Sequence, residues 1–173
     1  MAIFAWLFLA ASGTGTALPN LPVPVLDLHR YAGSWHEIAH LPLFFQRQCV
    51  DNITATYTLE PHGTIQVRNA CRTRSGSVDI ANGVARPGRT QGALQVNFAP
   101  RWLRWVPWGW ADYWVIDLDP HYQWAVVGSP SKKYLWVLSR TPSMTDALFQ
   151  QLKNHAAARG YPVDSLIMAA PLK

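Results

Sequence analysis

The chain has 173 residues, 49% hydrophobic and only 14% charged, with nine tryptophans and a formal charge of +5. Against a typical ~25% charged, this composition excludes a disordered chain and a coiled coil, and the length suits one domain with its own core. Basic residues are scattered, with no run longer than Lys132-Lys133, so a nucleic-acid stripe is excluded and only a weak hint of an anionic lipid surface is left.

In chain order, residues 2–11 form an apolar run shorter than the ~20 residues that span a bilayer. Gly15-Thr16-Ala17 then offers the small residues of a signal-peptidase site. The reading is an export signal over 1–17 and a single mature domain over 18–173, with a buried first strand as the alternative. No cysteine stands near that junction, so the usual bacterial lipid attachment has no acceptor there.

Period-two alternation then predicts eight strands, at 34–40, 52–59, 64–70, 77–85, 92–98, 113–118, 124–128 and 134–139. Breakers separate them, among them Pro42, Pro61-His62-Gly63, Pro87-Gly88 and Asp119-Pro120. Short links argue an antiparallel meander, and closure into a barrel removes its exposed edges. The hairpin turning at 60–63 brings Cys49 and Cys71 to one end. An exported chain can oxidise them to a disulfide; the alternative is two buried thiols. One helix follows, opened by a loose capping box at Ser143 and Asp146. Its apolar face is Met144, Ala147, Leu148 and Leu152, and Gly160 and Pro162 end it. The fold class is therefore all-β, an eight-stranded antiparallel barrel with one C-terminal flanking helix.

An eight-stranded barrel holds either its own side chains or one small ligand. Ile53, Tyr57, Val67, Leu94, Val96, Phe98, Trp114 and Trp136 are the candidate lining, which suits an acyl chain. The alternative is that these side chains simply fill the barrel. The segment 100–110 carries Trp102, Trp105, Trp108 and Trp110 with Arg101 and Arg104, and its prolines forbid a regular helix. Tryptophan favours the membrane–water interface and arginine meets lipid phosphates, so the expectation is a lipid-facing lip at the cavity mouth. Counting strands puts it at the disulfide end. The alternative is a loop folded inward as a plug.

His36-Glu-Ile-Ala-His40 reads H-E-x-x-H, the spacing of a zinc peptidase helix. Gly33 and Pro42 leave no room for such a helix, and in a strand the two imidazoles share a face ~13 Å apart. One zinc ion at ~2 Å from each ligand cannot reach both. No nucleophile elbow, P-loop or C-x-x-C is present, so a non-enzymatic protein without cofactor or metal is expected.

Three stretches carry a family resemblance. Gly33-Ser-Trp35, after Leu28-His-Arg-Tyr31, resembles the G-x-W signature of lipocalins. Residues 115–122 resemble their second conserved region, with Leu118-Asp119-Pro120 in place of T-D-Y, and residues 134–142 resemble the third, with Arg140 as its arginine. The tail at 160–166 resembles the post-helix segment of bacterial lipocalins, so the resemblance runs from about Leu26 to Pro171. Within the family it is nearest the bacterial outer-membrane group, which is similar to animal apolipoprotein D. The resemblance implies an up-and-down barrel closed at one end by Gly33, Trp35, Asp119 and Arg140, the arginine stacked on the tryptophan. It also implies carriage of fatty acids, lysophospholipids or similar lipids, with no catalytic residue. The family's anchoring cysteine is missing near the leader, so the expected location is periplasmic, or peripheral on the outer membrane.

Overall fold

The structure, a computed structural model, describes residues 17–61, 63–106 and 109–173. The leader expected over 1–17 lies, apart from Ala17, outside the described residues. Eight strands form the meander: β1 (Gly33–His40), β2 (Cys49–Leu59), β3 (Ile65–Thr73), β4 (Val78–Pro87), β5 (Ala93–Asn97), β6 (Ala111–Leu118), β7 (Trp124–Gly128) and β8 (Leu135–Ser139). Each pairs antiparallel with the next. β1 also pairs with β8, which closes the sheet into a barrel.

Three short features escape the alternation pattern. Asp27 caps a helical turn, α1 (Leu28–Tyr31), by accepting from His29 and Arg30 backbone N–H groups. A two-residue strand, β9 (Ile167–Met168), pairs with the upper edge of β1. A bulge in β1 between Glu37 and Ala39 shifts the register against β8.

The flanking helix is α2 (Asp146–Ala158), and it starts later than the capping-box reading places it. Thr145, not Ser143, is the N-cap; its hydroxyl accepts from Leu148 N–H at 3.3 Å. Of the predicted face, Met144 and Leu152 are buried and Leu148 packs against the same cluster; Ala147 is exposed, and Phe149 and Ala156 complete the buried face. These side chains pack on Ile38, Val126 and Val137, which point outward from the barrel. A second cluster lies inside the barrel, built on Trp35, Val67, Leu94, Val115, Val127 and Leu138.

The barrel has two unlike ends. At one, tight turns at 60–64, 88–92 and 119–123 meet α1 and the segment before it. At the other lie the loops 41–48, 74–77, 98–110 and 129–134. The Cys49–Cys71 disulfide, with Cα atoms 5.5 Å apart, ties β2 to β3 near that second end.

Candidate functional site

The four residues expected at the closed end are there. The Arg140 guanidinium lies 3.7 Å from the Trp35 ring centroid. It donates to the backbone carbonyls of Arg30, Tyr31, Ala32, Ser34 and Tyr122, at 2.7–3.2 Å. One side chain thus satisfies the carbonyls left free where α1 ends and β1 begins. Gly33 has φ +95, and a Cβ on it would stand 3.3 Å from Arg140 Nη1. The Asp119 carboxylate accepts from His121 and Gln123 N–H and fixes the β6–β7 turn beside them.

Along the inner wall, strand alternation places Ile53, Tyr57, Val67, Val96, Phe98 and Trp136 inward, on the same face as residues of the interior cluster. Tyr57 and Val67 are buried deep, while Val96 and Trp136 are half-buried higher up. Phe98 is 42% exposed and lies over Gly83, where any Cβ would sit 2.7 Å from its ring. Trp114 does not join them. It flanks the inward-facing Tyr113 and Val115, so its ring points out and packs with the cluster under α2. Above His36, β1 parts from β2, and a crevice of about 280 Å³ opens there between Glu37, Ile53, Arg72, Pro142 and Ala169.

Of the polar groups inside the barrel, only Tyr57 is a candidate from the sequence. Tyr113 Oη lies 2.7 Å from Tyr31 Oη and 2.8 Å from Tyr57 Oη, so three buried phenols form a hydrogen-bonded row across the interior. Burial raises all three pKa values and keeps the hydroxyls protonated. Glu37 also faces inward, 7% exposed, and accepts from the Gln46 amide at 2.7 Å. Burial pushes its carboxyl up to about 8, with the Gln46 bond pulling the other way. His40 Nε2 lies 3.7 Å from the same carboxyl. Burial lowers the His40 pKa, so the contact joins two neutral groups at pH 7 rather than an ion pair.

The H-E-x-x-H segment is strand, and the bulge changes its geometry. His36 points away from the interior while His40 turns inward opposite Trp136, so the two imidazoles lie on opposite faces and not on the shared face that strict alternation implies. No three His, Cys, Asp or Glu side chains come together as a metal site among the described residues.

The loop after β5 opens at the disulfide end. Trp102 and Trp105 are 72% and 79% exposed, and Arg101 beside them is exposed too. Trp110 is turned back: its ring lies under Arg86 at 3.8 Å and its indole N–H donates to the Arg104 carbonyl. Arg104 is half-buried and donates to the Ala99 carbonyl, while Trp108 lies outside the described residues. The same rim carries Phe44, 73% exposed, and Phe45, edge-on to each other in the β1–β2 loop. From there Phe45, Tyr134 and Trp136 step inward as an aromatic series.

A barrel closed below by a G-x-W and arginine lock, with a flanking helix, defines a family geometry. A family model described as "Lipocalin-like domain" matches residues 26–171. The chain belongs to this lipocalin-like family. It is 40% identical over 144 residues to temperature-induced lipocalin-1 of Arabidopsis thaliana, covering 82% of this chain and 77% of the relative. It is 34% identical over 170 residues to outer membrane lipoprotein Blc of Citrobacter freundii, covering 94% and 89%. Apolipoprotein D of Mus musculus is 26% identical over 180 residues, covering 96% and 90%. Among solved structures, insecticyanin from Manduca sexta superposes with a TM-score of 0.67 at 21% identity, covering 92% of this chain and 88% of that one, which shows the shared fold. The lipocalin family binds small hydrophobic ligands in such barrels.

Proposed function

We propose that this lipocalin binds one lipid-like amphiphile, of the fatty acid or lysophospholipid type, in the upper half of its barrel, as a carrier and not as an enzyme. The observation that carries this reading is the inner wall near the open end. Phe98, Val96 and Trp136 face inward there yet stay part-exposed, whereas the lower interior is packed. Apolar wall left open to solvent gains roughly 25 cal/mol per Å² when a chain covers it. Burying ten methylenes is then worth ~8 kcal/mol before ordering is subtracted, which is roughly micromolar. Native mass spectrometry of protein purified without detergent, with organic extraction, tests it. One co-purifying acyl lipid per chain supports the carrier. A chain that arrives empty and refuses titrated oleate and lysophosphatidylcholine sinks it.

A second reading adds to the first: the open rim touches a membrane surface. Trp102, Trp105 and Phe44 are far more exposed than soluble surfaces usually leave such rings, and all three lie at the mouth. Arg101 stands beside them to meet lipid phosphate. Trp102→Ser with Trp105→Ser is expected to abolish co-sedimentation with phosphatidylglycerol vesicles while leaving lipid uptake from solution unchanged. Unchanged co-sedimentation removes this second reading alone. The disulfide supports an exported location in an oxidising compartment. N-terminal sequencing of the protein from cells tests the boundary after Ala17.

A further inference from the structure

The three phenols at mid-barrel carry more hydroxyl protons than they use. Tyr31, Tyr57 and Tyr113 are 2%, 4% and 8% exposed, and two oxygen–oxygen contacts join them. Each contact consumes one proton, so one of the three phenolic protons has no acceptor within the row. Among the described residues no other side-chain or backbone acceptor takes it. A buried, unpaired donor costs about 1–3 kcal/mol, so the row gains from an acceptor brought in from outside.

A second unpaired group lies just above. Asn69 is two residues along β3 from the inward Val67, and its Oδ1 is buried without a partner. Its cross-strand neighbours on the inner face are Ala55 on β2 and Ala81 on β4. Ala111 is small as well, whereas the space over Gly83 is taken by the Phe98 ring. The side chains that flank Asn69 are therefore small, beside one spare donor and one spare acceptor.

Charge decides what fits. Among the described residues no lysine or arginine occupies an inward strand position; besides the phenols, the inward ionisable groups are Glu37, His40 and Asp79. A carboxylate or phosphate carried to this depth would lose its hydration, and the one cation whose charge reaches Tyr31, Arg140, has its donors turned to backbone carbonyls. An uncharged oxygen would meet the phenolic donor.

We propose that Tyr31, Tyr57, Tyr113 and Asn69 form a mid-barrel site for the uncharged oxygen, hydroxyl or carbonyl, of a neutral amphiphile, whose chain runs past Val96, Phe98 and Trp136 to the mouth. The inference rests on the carrier reading above and sharpens it. Neutral lipids enter oxygen-first, and anionic ones keep their headgroups at the rim.

The test is titration of the purified full chain at pH 7 with three probes of one chain length: 1-dodecanol, dodecanoate and dodecane. The variants are Tyr31→Phe, Tyr57→Phe and Tyr113→Phe combined in one chain, which removes every phenolic proton of the row, and Asn69→Ala alone, each first shown to melt cooperatively. Loss of one neutral hydrogen bond is expected to weaken dodecanol about five- to tenfold in each variant. Dodecanoate and dodecane should stay within twofold. Should the triple variant fail to fold, Asn69→Ala decides. Dodecanol affinity unchanged in every folded variant overturns the site, the spare proton then being met by buried water. Equal weakening of dodecanoate overturns the selectivity for neutral oxygen. If the wild-type chain binds none of the three, the carrier reading itself fails, and this site with it.

Discussion

The two ends of this barrel are built from the same kinds of residue, tryptophan and arginine, used in opposite ways. At the closed end Trp35 is fully buried and Arg140 lies flat on it, its donors spent on backbone carbonyls. At the open end Trp102 and Trp105 stand in solvent, with Arg101 exposed beside them. The pair Arg86 and Trp110 shows that the open end can also stack an arginine on a tryptophan; it does so only on the flank. The difference teaches that residue type does not set the role. Desolvation does: a buried indole under an arginine bonded to backbone carbonyls holds structure, whereas an exposed indole is left for a partner.

Breaking the closed end should give the largest effects. Arg140→Ala strands several carbonyls and unstacks Trp35, so urea denaturation is expected to show a loss of about 3 kcal/mol or more. Arg140→Lys should recover little of it, because an ammonium cannot reproduce the planar fork. Removing the disulfide by Cys49→Ser with Cys71→Ser frees a loop spanning 22 residues of sequence and should lower stability by about 3 kcal/mol, read in the same assay. Gly33→Ala forces a side chain into positive φ against Arg140 and should lower stability by about 1–2 kcal/mol.

Glu37 sharpens the comparison through pH. Its carboxyl titrates near 4.5 when free and at about 8 when folded, so the native state holds the proton more tightly. Stability contributed by this group is therefore full below pH 4.5 and is lost progressively as pH rises to about 8. Glu37→Gln should flatten that slope in denaturation curves from pH 5 to 9; an unchanged slope would show that another group carries it. The smallest effect belongs to the rim. Trp102→Ser with Trp105→Ser should change stability by under ~0.5 kcal/mol, because those rings lose almost no contacts.

Much of the architecture was legible in the chain because antiparallel strands with one face inward alternate strictly, and proline and glycine mark their ends. The eight strands, the Cys49–Cys71 bridge and the closed-end residues Gly33, Trp35, Asp119 and Arg140 follow from local pattern and a family signature. Trp114 was misplaced because nothing in its own stretch, apolar on both faces, says which face meets the interior and which meets α2. Local pattern also hid the bulge at Ile38 that separates His36 from His40, since a single bulge reverses every side chain beyond it. Alternation and signature thus determined the strands and the lock. Only tertiary structure decided which tyrosines, from three distant segments, meet as one row at the barrel's centre, because that contact depends on closure of the sheet, which no local pattern contains.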